Sequence, residues 1–69
     1  MIAKLVQTRK EQELTQEDVA RRLGKPQQYV SRYEVGERRL DIVEFLDAAT
    51  VLGVDGLKIA ADGMAGNSD

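Results

Sequence analysis

Residues 15–39, TQEDVARRLGKPQQYVSRYEVGERR, are punctuated so closely that few folds accommodate them. Thr15 is a good helix N-cap, and Asp18 three residues on makes a near capping box. Glu17 and Asp18 suit the positive start of a helix, and Arg21 and Arg22 suit its negative end. Gly24 stands where a C-terminal glycine belongs. These signals predict a helix over 16–23 with Val19, Ala20 and Leu23 inward. Pro26 is well tolerated at a first helical position, so a second helix is predicted from Pro26 to near Val35, with Gly36 as its stop. Only Gly24, Lys25 and Pro26 separate Leu23 from Gln27. A turn that short forces a steep crossing of the two helices and excludes a long antiparallel hairpin.

Projected at about 100° per residue, the second of these helices has two faces. Tyr29, Val30 and Tyr33 cluster toward the core. Gln27, Gln28, Ser31 and Arg32 cluster opposite them, and Glu34 lies at the boundary beside Val30. The outer face is chemically specific. Gln pairs bidentately with adenine N6/N7, Arg with guanine O6/N7, and Ser with several base edges. Gln27 and Gln28 sit at the helix start, the end that reaches bases when such a helix docks in a major groove. Gln16, in the first turn of the preceding helix, is a candidate phosphate donor beside exposed backbone N–H groups. Lys25, Arg38 and Arg39 flank the outer face and suit the sugar-phosphate backbone, setting register and salt dependence.

The rest of the chain is helical in period. Ile2, Leu5, Val6 and the stem of Arg9 form one stripe, predicting a first helix over about 2–12. Asp41 caps a fourth helix, Glu44 completes its box, and Leu40 can staple onto Phe45, as Leu14 can onto Val19. Ile42, Phe45, Ala49 and Leu52 are expected to mark its buried face, with Gly53 ending it. A short fifth helix is expected after Asp55, with Val54 and Leu57 inward. No segment alternates as a strand does; Tyr29–Val30 is β-prone but its neighbours are not. The fold class is therefore all-α, a compact bundle of four to five short helices around one core. The expected folded domain is 1–61, with the helix-turn-helix unit at 15–35. The glycine-rich residues 62–69 are expected to form a flexible tail.

Composition narrows the function. The chain has neither cysteine nor histidine, which removes disulfides, thiolate metal sites, and the usual general base and metal ligand. Glu11, Glu13, Glu17 and Asp18 lack the spacing and glycine loop of a calcium site. No enzyme, metal or cofactor is expected, and no small-molecule ligand. No apolar run approaches the roughly 20 residues of a membrane span, and MIAKLVQTRKEQEL lacks a signal-peptide core. A cytoplasmic, nucleoid-associated setting without membrane contact is expected. The net charge of −2 conceals a division. Residues 1–40 carry nine basic and six acidic side chains, and residues 41–69 carry one basic and six acidic. A basic face can bind a polyanion despite an acidic average, because local potential governs the encounter.

The pattern Leu14-Thr15-Gln16, Val19-Ala20, Leu23-Gly24, then Gln27, Tyr29-Val30-Ser31-Arg32-Tyr33-Glu34, Gly36 and the Arg38–Leu40 strip resembles the Cro/C1-repressor type of helix-turn-helix domain, also called XRE-like. The resemblance covers about residues 2–58. It implies a lambda-repressor-like domain of five helices that binds double-stranded DNA as a transcriptional regulator, with a repressor acting as a homodimer expected. It puts Gln16 at a phosphate-contact position and Gln27, Gln28 and Arg32 at base-reading positions, with Ser31 between the two roles. It makes Arg9 and Glu34 a structural ion pair, and places Arg38 and Arg39 in the loop that grips the backbone. Three departures stand out. Glu13 sits where glycine is frequent, Lys25 replaces a Ser or Thr cap, and Leu40 replaces a proline. The rival expectation is a protein-interaction module, an antitoxin or adaptor, motivated by the acidic fourth and fifth helices. Arg21 and Arg22 read as solvated helix-end charges, and Tyr29 and Tyr33 as packing residues. Val51, Val54, Leu57 and Ile59 divide between core packing and a dimer contact.

Overall fold

The structure, a computed structural model, describes the backbone of residues 2–67 and the side chains of residues 2–62. Five helices follow one another: α1 (Ile2–Glu11), α2 (Gln16–Leu23), α3 (Gln27–Glu34), α4 (Ile42–Val51) and α5 (Gly56–Asn67). The chain is all-α, as its periodicity implies. α2 packs chiefly against α3; α4 packs against α2 and α5, and α1 against α3. No helix among the described residues is long and apolar enough to cross a membrane.

The caps read from sequence are formed. The Thr15 hydroxyl accepts from Asp18 N–H at 3.0 Å while the Asp18 carboxylate accepts from Thr15 N–H at 2.9 Å. Asp41 and Glu44 make the same reciprocal pair at 2.7 and 3.0 Å. Behind each cap, Leu14 and Leu40 pack on the core that buries Val19 and Phe45. α2 closes with a Schellman pair, Lys25 N–H to Ala20 O and Gly24 N–H to Arg21 O. Gly24 holds φ +69, which it reaches without a Cβ penalty. α1 ends in the same bond pattern, Leu14 N–H to Arg9 O and Glu13 N–H to Lys10 O. There the left-handed position is filled by Glu13 at φ 58, the one non-glycine residue with positive φ among the described residues.

Leu5, Val19, Ala20, Val30, Tyr33, Phe45, Ala48, Ala49 and Leu52 form the buried core, with Ile2, Leu23, Tyr29, Val54 and Ile59 packed around it. Two expected core residues are not there. Ile42 is 53% exposed and Leu57 is 66% exposed. Ile42 opens α4 one turn beyond the Phe45–Ala48–Ala49–Leu52 stripe, so it lies past the edge of the neighbouring helices. α5 turns Gly56 rather than Leu57 toward α4. A Cβ built on Gly56 would lie 2.8 Å from Leu46 Cδ2 and 3.0 Å from Ala49 Cβ. Ile59 and Ala60 continue that inner face. Thr8, unnoticed in the sequence, is buried on α1 with its hydroxyl donating to Lys4 O at 2.7 Å.

Helix ends differ slightly from expectation. α1 stops at Glu11, and Pro26 is the extended N-cap of α3 rather than its first helical residue (ψ 155), so the helix starts at Gln27. Its ring cannot accept a bond, and α3 begins without a side-chain cap. α5 carries on past residue 61 to Asn67, through a stretch whose Gly63 and Gly66 do not favour helix. Residues 68 and 69, the last of the expected tail, lie outside the described residues, as do the side chains from 63 onward.

Candidate nucleic-acid interface

The start of α3 carries the candidate base readers. Gln27 and Gln28 occupy its first turn, and Arg32 follows one turn later; all three are exposed. Ser31 is half-buried, on the flank that also carries Glu34, so it contributes less to the open face than its residue type alone implied. Val30 and Tyr33, opposite, are buried and anchor the helix on α2 and the core. Tyr29 is half-buried, its ring edge-on to Tyr33 at 5.9 Å between centroids.

Behind this face runs a chain of polar side chains through three helices. Arg9 of α1 grips Glu34 at the end of α3 with two bonds, Nε to Oε2 at 2.7 Å and Nη2 to Oε1 at 3.0 Å. Its third edge donates to Leu14 O at 2.8 Å, which ties the α1–α2 turn to the same point. The bond to Glu34 raises the Arg9 pKa further above its ordinary value, against the opposing effect of burial. Glu34 Oε1 also accepts from Gln16 Nε2 at 3.0 Å, and Gln16 Oε1 accepts from Gln27 Nε2 at 2.8 Å. The order of donors is forced from one end. A carboxylate only accepts, so Gln16 must turn its amide nitrogen toward Glu34 and its oxygen toward Gln27. Gln27 must then donate, leaving its Oε1 and a second N–H free. That pair of groups matches the donor and acceptor pattern of an adenine edge. Gln16, half-buried and bonded on both sides, keeps one N–H for any phosphate.

The cations around α3 divide into free and engaged. Arg32 and Arg39 are exposed, and their side chains make no hydrogen bond or ion pair among the described residues. Lys25 is exposed and its Nζ lies 5.5 Å from the centroid of the Tyr29 ring. The Arg38 guanidinium lies 4.7 Å from the same centroid and donates to Glu44 at 2.5 Å. Glu44 is held below the usual carboxylate range, first by the Asp41 N–H and then by Arg38. Burial, then Glu44, pushes the Tyr29 hydroxyl pKa up. Sequence reasoning missed both the Gln16–Gln27 link and the Arg38–Glu44 pair. The second had a signal: Glu44 completes the capping box of Asp41, and a carboxylate so used has a second oxygen to offer. Away from this face, Arg22 donates to Val51 O at 3.0 Å and Gln12 to Leu52 O at 2.6 Å, closing the end of α4. Arg22, an exposed charge at the end of α2 as expected, also ties that helix to α4, whereas Arg21 pairs with its neighbours Glu17 and Asp18.

The model of the Helix-turn-helix family matches residues 5–59. The chain belongs to the helix-turn-helix family. The match spans all of α2, α3 and α4, most of α1, and the first residues of α5. It agrees with the Cro/C1-type resemblance carried by the motif residues. Comparisons with curated proteins and with solved structures found no match. A helix-turn-helix fold suggests DNA-binding regulation as the class of function.

Proposed function

We propose that this domain is a sequence-specific DNA-binding transcriptional regulator, acting as a repressor by occupying its operator. α3 enters the major groove with its N-terminal turn foremost. Gln27, Gln28 and Arg32 read base edges, with Ser31 at the margin, and Gln16, Lys25, Arg38 and Arg39 hold phosphates. The observation that carries this reading is the exposed Gln27–Gln28–Arg32 face, presented by a helix whose opposite side is buried. A base-reading face needs rigid support, because each bidentate pair contributes only about 1–3 kcal/mol and only in register. The polar chain from Arg9 to Gln27 supplies that support.

A homodimer reading two half-sites roughly 34–36 Å apart fits the fold class. Selection of bound sequences from a random duplex pool tests the proposal. A palindromic consensus with half-sites one turn apart is expected, and recovery of no enriched sequence would contradict it. One observation favours a second reading, a protein-interaction module. Val43 on α4 and Leu57 on α5, in the acidic half of the chain, are 63% and 66% exposed. Absence of any salt-sensitive duplex binding would favour that reading.

A further inference from the structure

The loop between α3 and α4 carries two adjacent arginines in different states. Arg39 is exposed and unpartnered among the described residues. Arg38 lies against the Tyr29 ring and is paired with Glu44. Glu44 itself is fixed in place. Its other oxygen accepts from Asp41 N–H at 3.0 Å as part of the capping box, so the carboxylate is anchored to the start of α4 rather than free to follow the loop.

We propose that Glu44 restrains the backbone grip of this interface by competing with DNA phosphate for Arg38. The inference rests on the reading of Arg38 as a phosphate contact. Carboxylate and phosphate are the same kind of partner for a guanidinium, an anion with several acceptor oxygens. A phosphate that reaches Arg38 must displace Glu44 or bind beside an anion of like charge, and either course reduces the gain. Phosphate contacts carry no sequence information, so the restraint acts equally on every duplex. The pair is open to solvent and screened by salt, so it tempers binding without abolishing it.

Glu44→Gln tests this directly. A glutamine keeps the capping box, with its amide oxygen on Asp41 N–H. Its NH2 group then faces the guanidinium donor to donor and releases Arg38. Glu37→Gln is the control, because it removes the same charge from the loop that carries Arg38, at an exposed residue with no side-chain partner among the described residues. Dissociation constants are measured on random and selected duplexes across a salt series, with melting curves to confirm folding. Glu44→Gln should tighten both duplexes about threefold or more at roughly 0.1 M salt and steepen the salt slope by about one unit. Glu37→Gln should do less, and in an Arg38→Gln background the two substitutions should be equivalent. Independently, Arg39→Gln should weaken binding more than Arg38→Gln. Equal effects of Glu44→Gln and Glu37→Gln, a gain that survives loss of Arg38, or a greater loss for Arg38→Gln than for Arg39→Gln overturns the proposal. If the unsubstituted domain binds no duplex, the DNA-binding reading falls and this inference with it. If it binds and Glu44→Gln changes nothing, only this inference falls.

Discussion

Glu13 holds a backbone angle that glycine adopts freely and an L side chain does not, φ 58 at the Schellman position after α1. Left-handed backbone costs a residue with a Cβ roughly 1–2 kcal/mol, offset in part because glycine loses more entropy on folding. Glu13→Gly should therefore raise stability by up to about 1 kcal/mol, read as a melting point higher by roughly 4–8 °C. An unchanged or lower melting point would show that the turn is not strained. Tyr33 gives a second test. It is 1% exposed, and burial, with Glu34 as the next cause, pushes its hydroxyl up to about 12 from an ordinary 10.0. A group whose pKa is raised by folding contributes fully below its unfolded value and loses that contribution as pH rises through the folded one. Stability should therefore fall between pH 10 and about 12, by at most about 3 kcal/mol for this group. Tyr33→Phe should flatten that alkaline limb in a pH series of denaturant unfolding, and an unaltered limb would contradict the assignment.

At the scale of elements, the local signals were legible and the relations between helices were less so. Thr15 with Asp18 and Asp41 with Glu44 announce their helices because a capping box is complete within four residues. Arg9 with Glu34 was legible only through the family pattern, since 25 residues separate them. Ile42 and Leu57 were misplaced because a periodic stripe does not tell where the neighbouring helix stops covering it. The links Gln16–Gln27 and Arg38–Glu44 depend on how α2, α3 and the following loop meet, which no single helix pattern encodes. Gly56 shows what such a meeting requires. It reads as a helix-starting glycine, yet its lack of a Cβ is what lets α5 close on Leu46 and Ala49 of α4. Gly56→Ala should cost about 1–3 kcal/mol through displacement of those side chains. A neutral result in chemical denaturation would mean that α5 shifts freely on α4.

Over the whole molecule, charge and order run together. The basic half of the chain carries α2, α3 and the loop after them, where the side chains suited to nucleic acid lie, and the acidic half carries α4 and α5. An acidic average of −2 is thus compatible with one attractive face, though Glu34 and Glu44 temper it from within. The proposed function divides the labour on that face, α3 reading sequence and the flanking cations supplying uniform grip. The direct test compares Gln28→Ala with Arg39→Ala on a selected and a random duplex across a salt series. Gln28→Ala should weaken the selected duplex by about 1–3 kcal/mol and spare the random one. Arg39→Ala should weaken both alike and flatten the salt slope by about one unit. Losses equal on the two duplexes for both variants would contradict the account.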